Sequence, residues 1–108
     1  MDVDKYQELA MKTLNPGIEK KELILNASMG LCGESGEVID LVKKHLFQGH
    51  DLDNEQLIKE LGDVAWYLAQ AATALDVDLS EIFEKNIKKL EKRFPDGFNS
   101  SRSINRGE

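Results

Sequence analysis

A chain of 108 residues with a net charge of −6, 41% hydrophobic and 31% charged, is expected to be one soluble globular domain that buries its core without staples. The acidic balance excludes a broad nucleic-acid-binding face, which needs clustered Lys and Arg, whereas a bound metal can still supply local positive charge for an anionic substrate. A lone cysteine, no apolar leader in MDVDKYQELA, and no run near the ~20 residues of a membrane span lead to the expectation of a cytoplasmic protein without a membrane partner.

The periodicity is helical throughout. A first helix is expected over residues 4–14, ended by Asn15-Pro16-Gly17. A second runs over 20–46, followed by a connection over 47–53 that contains Gly49. Asp53, with Gln56 three residues on, has the capping-box signature and opens a third helix that continues to about residue 75. Asp78 and Glu81 repeat the signature for a fourth helix, which ends near Arg93 before Phe94-Pro95-Asp96-Gly97. Short connections make successive helices antiparallel neighbours, so the expected fold is an all-α antiparallel four-helix bundle over residues 1–98. Residues 99–108 form a polar tail, expected to be disordered or to order only against a partner.

Residues 23–33 and 64–75 carry no charge. A helix apolar around most of its circumference is buried on more than one side, and one small bundle cannot bury both helices completely. A homo-oligomer interface, in a homodimer or a dimer of dimers, is therefore expected. Gly30, Gly33 and Gly36 support close packing there, because each costs about 1 kcal/mol against Ala inside a helix.

Glu34 and Glu37 lie three residues apart on the second helix, as do Glu60 and Asp63 on the third, so each pair shares a helix face. That spacing recurs elsewhere in this acidic chain; the two pairs stand out because they border the uncharged runs. Carboxylates beside apolar surface need a compensating cation, and neither run contains Lys or Arg. Glu37 and Glu34 lie roughly 14 and 18 Å before the turn, and Glu60 and Asp63 roughly 10 and 15 Å after it. The four carboxylates therefore fall at one level on antiparallel neighbours, and hard oxygen ligands without Cys or His indicate Mg²⁺ or Mn²⁺. A water-filled polar groove is the alternative. A di-iron bundle needs Glu-x-x-His on two helices, and neither His45 nor His50 follows a Glu at that interval.

The motifs Gly33-Glu34-Ser35-Gly36-Glu37 and Lys59-Glu60-Leu61-Gly62-Asp63-Val64 are separated by the 22 residues 38–59. With GLCGESGEVIDLVKKH, ELGDVAWYLA and NIKKLEKRFPDGF, they make residues 25–98 resemble the MazG-type all-α nucleoside triphosphate pyrophosphohydrolases. Many relatives carry a further acidic residue where this chain has Gly33. The resemblance implies Mg²⁺-dependent hydrolysis of a nucleoside triphosphate between its α and β phosphates, giving a monophosphate and pyrophosphate. Glu34, Glu37, Glu60 and Asp63 would be the metal ligands and catalytic carboxylates, one glutamate also orienting the attacking water. Phosphoribosyl-ATP pyrophosphohydrolase, from the same superfamily, is one alternative, and a non-enzymatic helical interaction module is another.

The remaining candidates come from helix levels. On an antiparallel fourth helix, Lys89 and Arg93 reach the level of the acids to meet phosphates, while Asn86, with Tyr67 on the third helix, lies nearer a base or sugar. Lys44 shares the face of Glu37 and can approach a phosphate, and Asn26 on that face can touch the nucleoside. Solvated surface is the plain reading of the lysines. Trp66 reads as a core or interface aromatic, with stacking on a base as the alternative, Cys32 as a small buried hydrophobe, and His45 and His50 as exposed.

Overall fold

The protein, seen here as a computed structural model, is described over residues 1–105, and among these there is helix and no β-strand. Helix α1 (Val3–Met11) begins at Asp2, whose carboxylate accepts from the Lys5 N–H at 2.7 Å and satisfies one of the orphan donors of a helix start. It stops three residues before the expected end. There the backbone tightens, with Thr13 N–H on the Ala10 carbonyl and the Thr13 hydroxyl on the same oxygen at 2.7 Å. A 3₁₀ turn (Lys20–Glu22) precedes α2 (Leu23–Phe47), so the second helix is one turn shorter at its start than the pattern suggests.

Helix α3 (Asn54–Ala74) starts where its sequence predicts, with Asp53 accepting from the backbone of Glu55 and Gln56 at 3.0 and 3.3 Å, but among the described residues the Gln56 side chain does not return the second bond of a capping box. The start of α4 (Leu79–Arg93) falls at the expected residue for a different reason. Asp78 occupies the N-cap, but its side chain makes no capping bond. Gln7 Oε1 accepts from Leu79 N–H at 2.7 Å instead, and the Asp4 carboxylate accepts from Ser80 N–H and Oγ at 3.0 and 2.7 Å. The orphan donors of α4 are thus met by α1. In the tail, α5 (Ser100–Ile104) forms one short helix with Asn99 accepting from Arg102 N–H at 3.2 Å. Residues 106–108 of that tail lie outside the described residues.

Helices α2 and α3 pack along one another as an antiparallel hairpin. The pairing descends one helix as it ascends the other: Glu34 meets Glu60 and Asp63, Gly30 meets Tyr67, and Asn26 and Leu23 meet Gln70. Helices α1 and α4 pack on α3 and on each other. Their shared core is Ala69, Ala72 and Leu79, with Val3, Tyr6, Met11, Leu68, Val77 and Ile82 against it. Small residues dominate the interior because the helices meet closely. Past Ile82 the apolar positions of α4, Phe83, Ile87 and Leu90, are exposed. So are Leu25 and Met29 of the uncharged α2 run, at 56% and 65%, and that run is not enclosed by its own chain. The radius of gyration is 16.9 Å, against about 13 Å for a compact domain of this length. Among the described residues no helix is long and apolar enough to cross a membrane.

Candidate metal centre

Glu34 on α2 faces Glu60 and Asp63 on α3, and one ligand oxygen from each lies within 4.8 Å of the other two. Glu34 and Glu60 are half-buried and Asp63 is exposed. Among the described residues no other group of three His, Cys, Asp or Glu side chains converges in this way. The Glu34 carboxyl is held above its ordinary range, first by burial, then by the charges of Asp63 and Glu60, a hydrogen bond with Glu60, and the charge of Glu37. Carboxylates in surplus raise each other's proton affinity unless a cation offsets them. The donor set fits a hard divalent ion: all oxygen, converging, with excess negative charge.

Glu37 stands outside this trio, exposed one turn further along α2, and reaches Glu34 through charge. Of the four carboxylates read from the sequence, the fold therefore brings three into ligand range and leaves the fourth at the rim.

A cavity of about 310 Å³ opens beside the acids, lined by Glu34, Asp63, Trp66 and Tyr67. Tyr67 is seated on Gly30, where any Cβ would overlap its ring. The Trp66 and Tyr67 rings meet edge to face at 4.9 Å. Trp66 Nε1 donates to the Ala10 carbonyl at 3.2 Å and to Thr13 Oγ1 at 2.9 Å, which fixes the indole between α3 and the end of α1. Tyr6 of α1 also belongs to this neighbourhood: burial and then the Asp63 charge raise its hydroxyl's pKa. Nothing in the local sequence signals Tyr6, because its place depends on where α1 lands.

The other sequence candidates lie outside the lining of this cavity. Lys44 is paired with Asp40 on its own helix at 2.9 Å; that bond raises the lysine's pKa and lowers the aspartate's, Lys43 adding to the latter. Asn86 and Lys89 are exposed on α4, and Arg93 is half-buried with its guanidinium 6.0 Å from the centre of the Phe94 ring. Asn26 accepts from the buried Gln70 at 2.9 Å. Cys32 is exposed, contrary to its reading as a buried hydrophobe, because it sits on a face of α2 that no element covers among the described residues. His45 and His50 are exposed, as their positions suggest.

The family described as "MazG nucleotide pyrophosphohydrolase domain" matches residues 24–98. A protein called "Gene 37 protein", from Mycobacterium phage L5, is 41% identical over 101 residues, spanning 86% of this chain and 89% of that one. No solved structure matches.

Proposed function

The chain belongs to the MazG nucleotide pyrophosphohydrolase family, and on that premise we propose that it is a cytoplasmic Mg²⁺-dependent enzyme cleaving a ribo- or deoxyribonucleoside triphosphate between the α and β phosphates. The products are a nucleoside monophosphate and pyrophosphate. The observation that carries this reading is the convergence of Glu34, Glu60 and Asp63 within 4.8 Å.

These three carboxylates would hold the metal, Glu37 would complete the set from the rim, and one of the glutamates would also orient the attacking water. Mg²⁺ held there would neutralise charge on the phosphates and activate water for attack. Phosphoryl transfer otherwise asks for positioning and electrostatics. Tyr67 presents its ring beside the acids, and Trp66, pinned to α1, closes that wall of the cavity. Lys44 approaches a phosphate by exchanging its Asp40 partner.

The active form is a homodimer or a dimer of dimers in which the bundle is completed between copies. Two features support this assembly. The radius of gyration of 16.9 Å exceeds that of a compact chain, and Phe83, Ile87 and Leu90 lie exposed at i, i+4 and i+7 on α4, the spacing of a helix face that packs on another.

A screen of the common NTPs and dNTPs with Mg²⁺, reading pyrophosphate release, tests the activity. Hydrolysis in ¹⁸O-water places the label in the monophosphate. Label in pyrophosphate would mean attack at the β-phosphorus, and a nucleoside diphosphate product would reject the reaction.

A further inference from the structure

Gln70 is fully buried on α3. Its Nε2 donates to the Leu23 carbonyl at 3.1 Å and to Asn26 Oδ1 at 2.9 Å, while its Oε1 is enclosed without a hydrogen-bond partner among the described residues. An unpaired buried carbonyl is destabilising, and an apolar side chain of similar size would fill a helix interface without that cost. What the amide does in return is orient a second amide. The Leu23 carbonyl can only accept, so the nitrogen end of Gln70 must face it. The same nitrogen must then meet the oxygen of Asn26, which leaves Asn26 Nδ2 as the outward end. That group makes no bond within the described residues.

Asn26 is exposed and lines a cavity of about 520 Å³ with Ile18, Glu19, Glu22, Leu25 and Met29. Apolar Ile18, Leu25 and Met29 suit the faces of a flat heterocycle. The carboxylates of Glu19 and Glu22 repel phosphate and accept from ring N–H or amino groups. Asn26 lies eight residues before Glu34, about 12 Å along α2, a span comparable to a nucleotide from its phosphates to the far edge of its base. The acids, with metal, therefore suit the phosphate end, and the Asn26 cavity suits the base end.

We propose that Gln70 is a positioning residue that locks Asn26 with its NH₂ outward, and that this fixed donor reads a hydrogen-bond acceptor on the nucleobase. The pair makes the enzyme selective among bases. This rests on the nucleotide reading above but not on hydrolysis itself, so the probes are the four deoxynucleoside monophosphates in saturating Mg²⁺, with binding measured by calorimetry.

The wild-type protein should favour one base over another by up to about tenfold, the net worth of one well-placed hydrogen bond between neutral groups. Asn26→Asp keeps the oxygen that Gln70 holds but replaces the outward donor by an acceptor, so the preferred base should weaken by about tenfold and the rank order should change. Gln70→Leu should keep or raise the melting temperature while collapsing the preference, a split that a merely structural role does not produce. No binding, no base preference in the wild type, or a rank order that survives Asn26→Asp would each overturn the proposal. Should Gln70→Leu fail to fold, the exposed Asn26→Asp still decides. Base-selective binding without triphosphate cleavage would reject the reaction alone, and cleavage of all triphosphates with equal KM would reject this inference alone.

Discussion

Replacing Gly30 by Ala tests how the aromatic wall of the site is held. In the interior of α2 the substitution gains about 1 kcal/mol of helix propensity. The new Cβ, however, would fall on the Cδ1, Cε1 and Cζ atoms of Tyr67. That ring cannot yield freely, because it abuts Trp66 at 4.9 Å, and Trp66 is bonded to Ala10 and Thr13. Forcing a methyl group into a packed contact costs about 1–3 kcal/mol. Gly62 in α3 provides the comparison: a Cβ there meets nothing within 4 Å, so Gly62→Ala should show the propensity gain alone. The difference between the two variants isolates the steric cost. At about 4–8 °C per kcal/mol for a domain of this size, Gly30→Ala should melt at least about 4 °C below Gly62→Ala by circular dichroism. Because Tyr67 lines the acid cavity, pyrophosphate release should also show a raised KM in Gly30→Ala. Equal stabilisation of both variants with unchanged KM would refute the seating of Tyr67 on Gly30.

Glu37→Gln and Asp63→Asn should each lower turnover by about a hundredfold or more with the helical spectrum intact, the scale of losing a preorganised charge at a reacting phosphate, and should raise the metal-free melting temperature by relieving repulsion; near-normal turnover in Asp63→Asn removes the metal site, and in Glu37→Gln it removes the part given to Glu37. The Glu34 carboxyl is raised in the folded state, so the native protein binds more protons than the unfolded chain between the two pKa values. The contribution of Glu34 to metal-free stability is then full below that window and is lost as pH rises through it, and Glu34→Gln should remove that component of the slope in a series of thermal melts. Light scattering should report a dimer or tetramer at micromolar concentration, and a monomer would leave the exposed α4 stripe in need of another partner.

How much of the site was legible in advance follows from the range of the forces that place each residue. Glu34, Glu60 and Asp63 could be brought together on paper because helix rise and a short connection fix levels on adjacent helices, and they do converge. Tyr67 follows at one turn from Asp63 by the same arithmetic. That arithmetic fails for α4. It assumes an antiparallel neighbour along its whole length, whereas α4 joins the core through Leu79 and Ile82 and then exposes Phe83, Ile87 and Leu90. Asn86 and Lys89 go with it to the surface.

Helix periodicity, the Asp53 cap and the spacing of the acids are consequences of bonds within a few residues, and the sequence alone determined them. The contacts of Tyr6 with the acids' field, Trp66 with α1, Gln70 with Asn26, and Gln7 and Asp4 with the start of α4 span 44 to 76 positions or join separate elements. The Gln70–Asn26 contact depends on the register of α2 against α3, and the others on where α1 settles, which is decided by close packing of Ala69, Ala72 and Leu79 against Val3 and Met11 rather than by any local signal. The tertiary structure decided them, because only packing selects among the many positions that an amphipathic first helix can take.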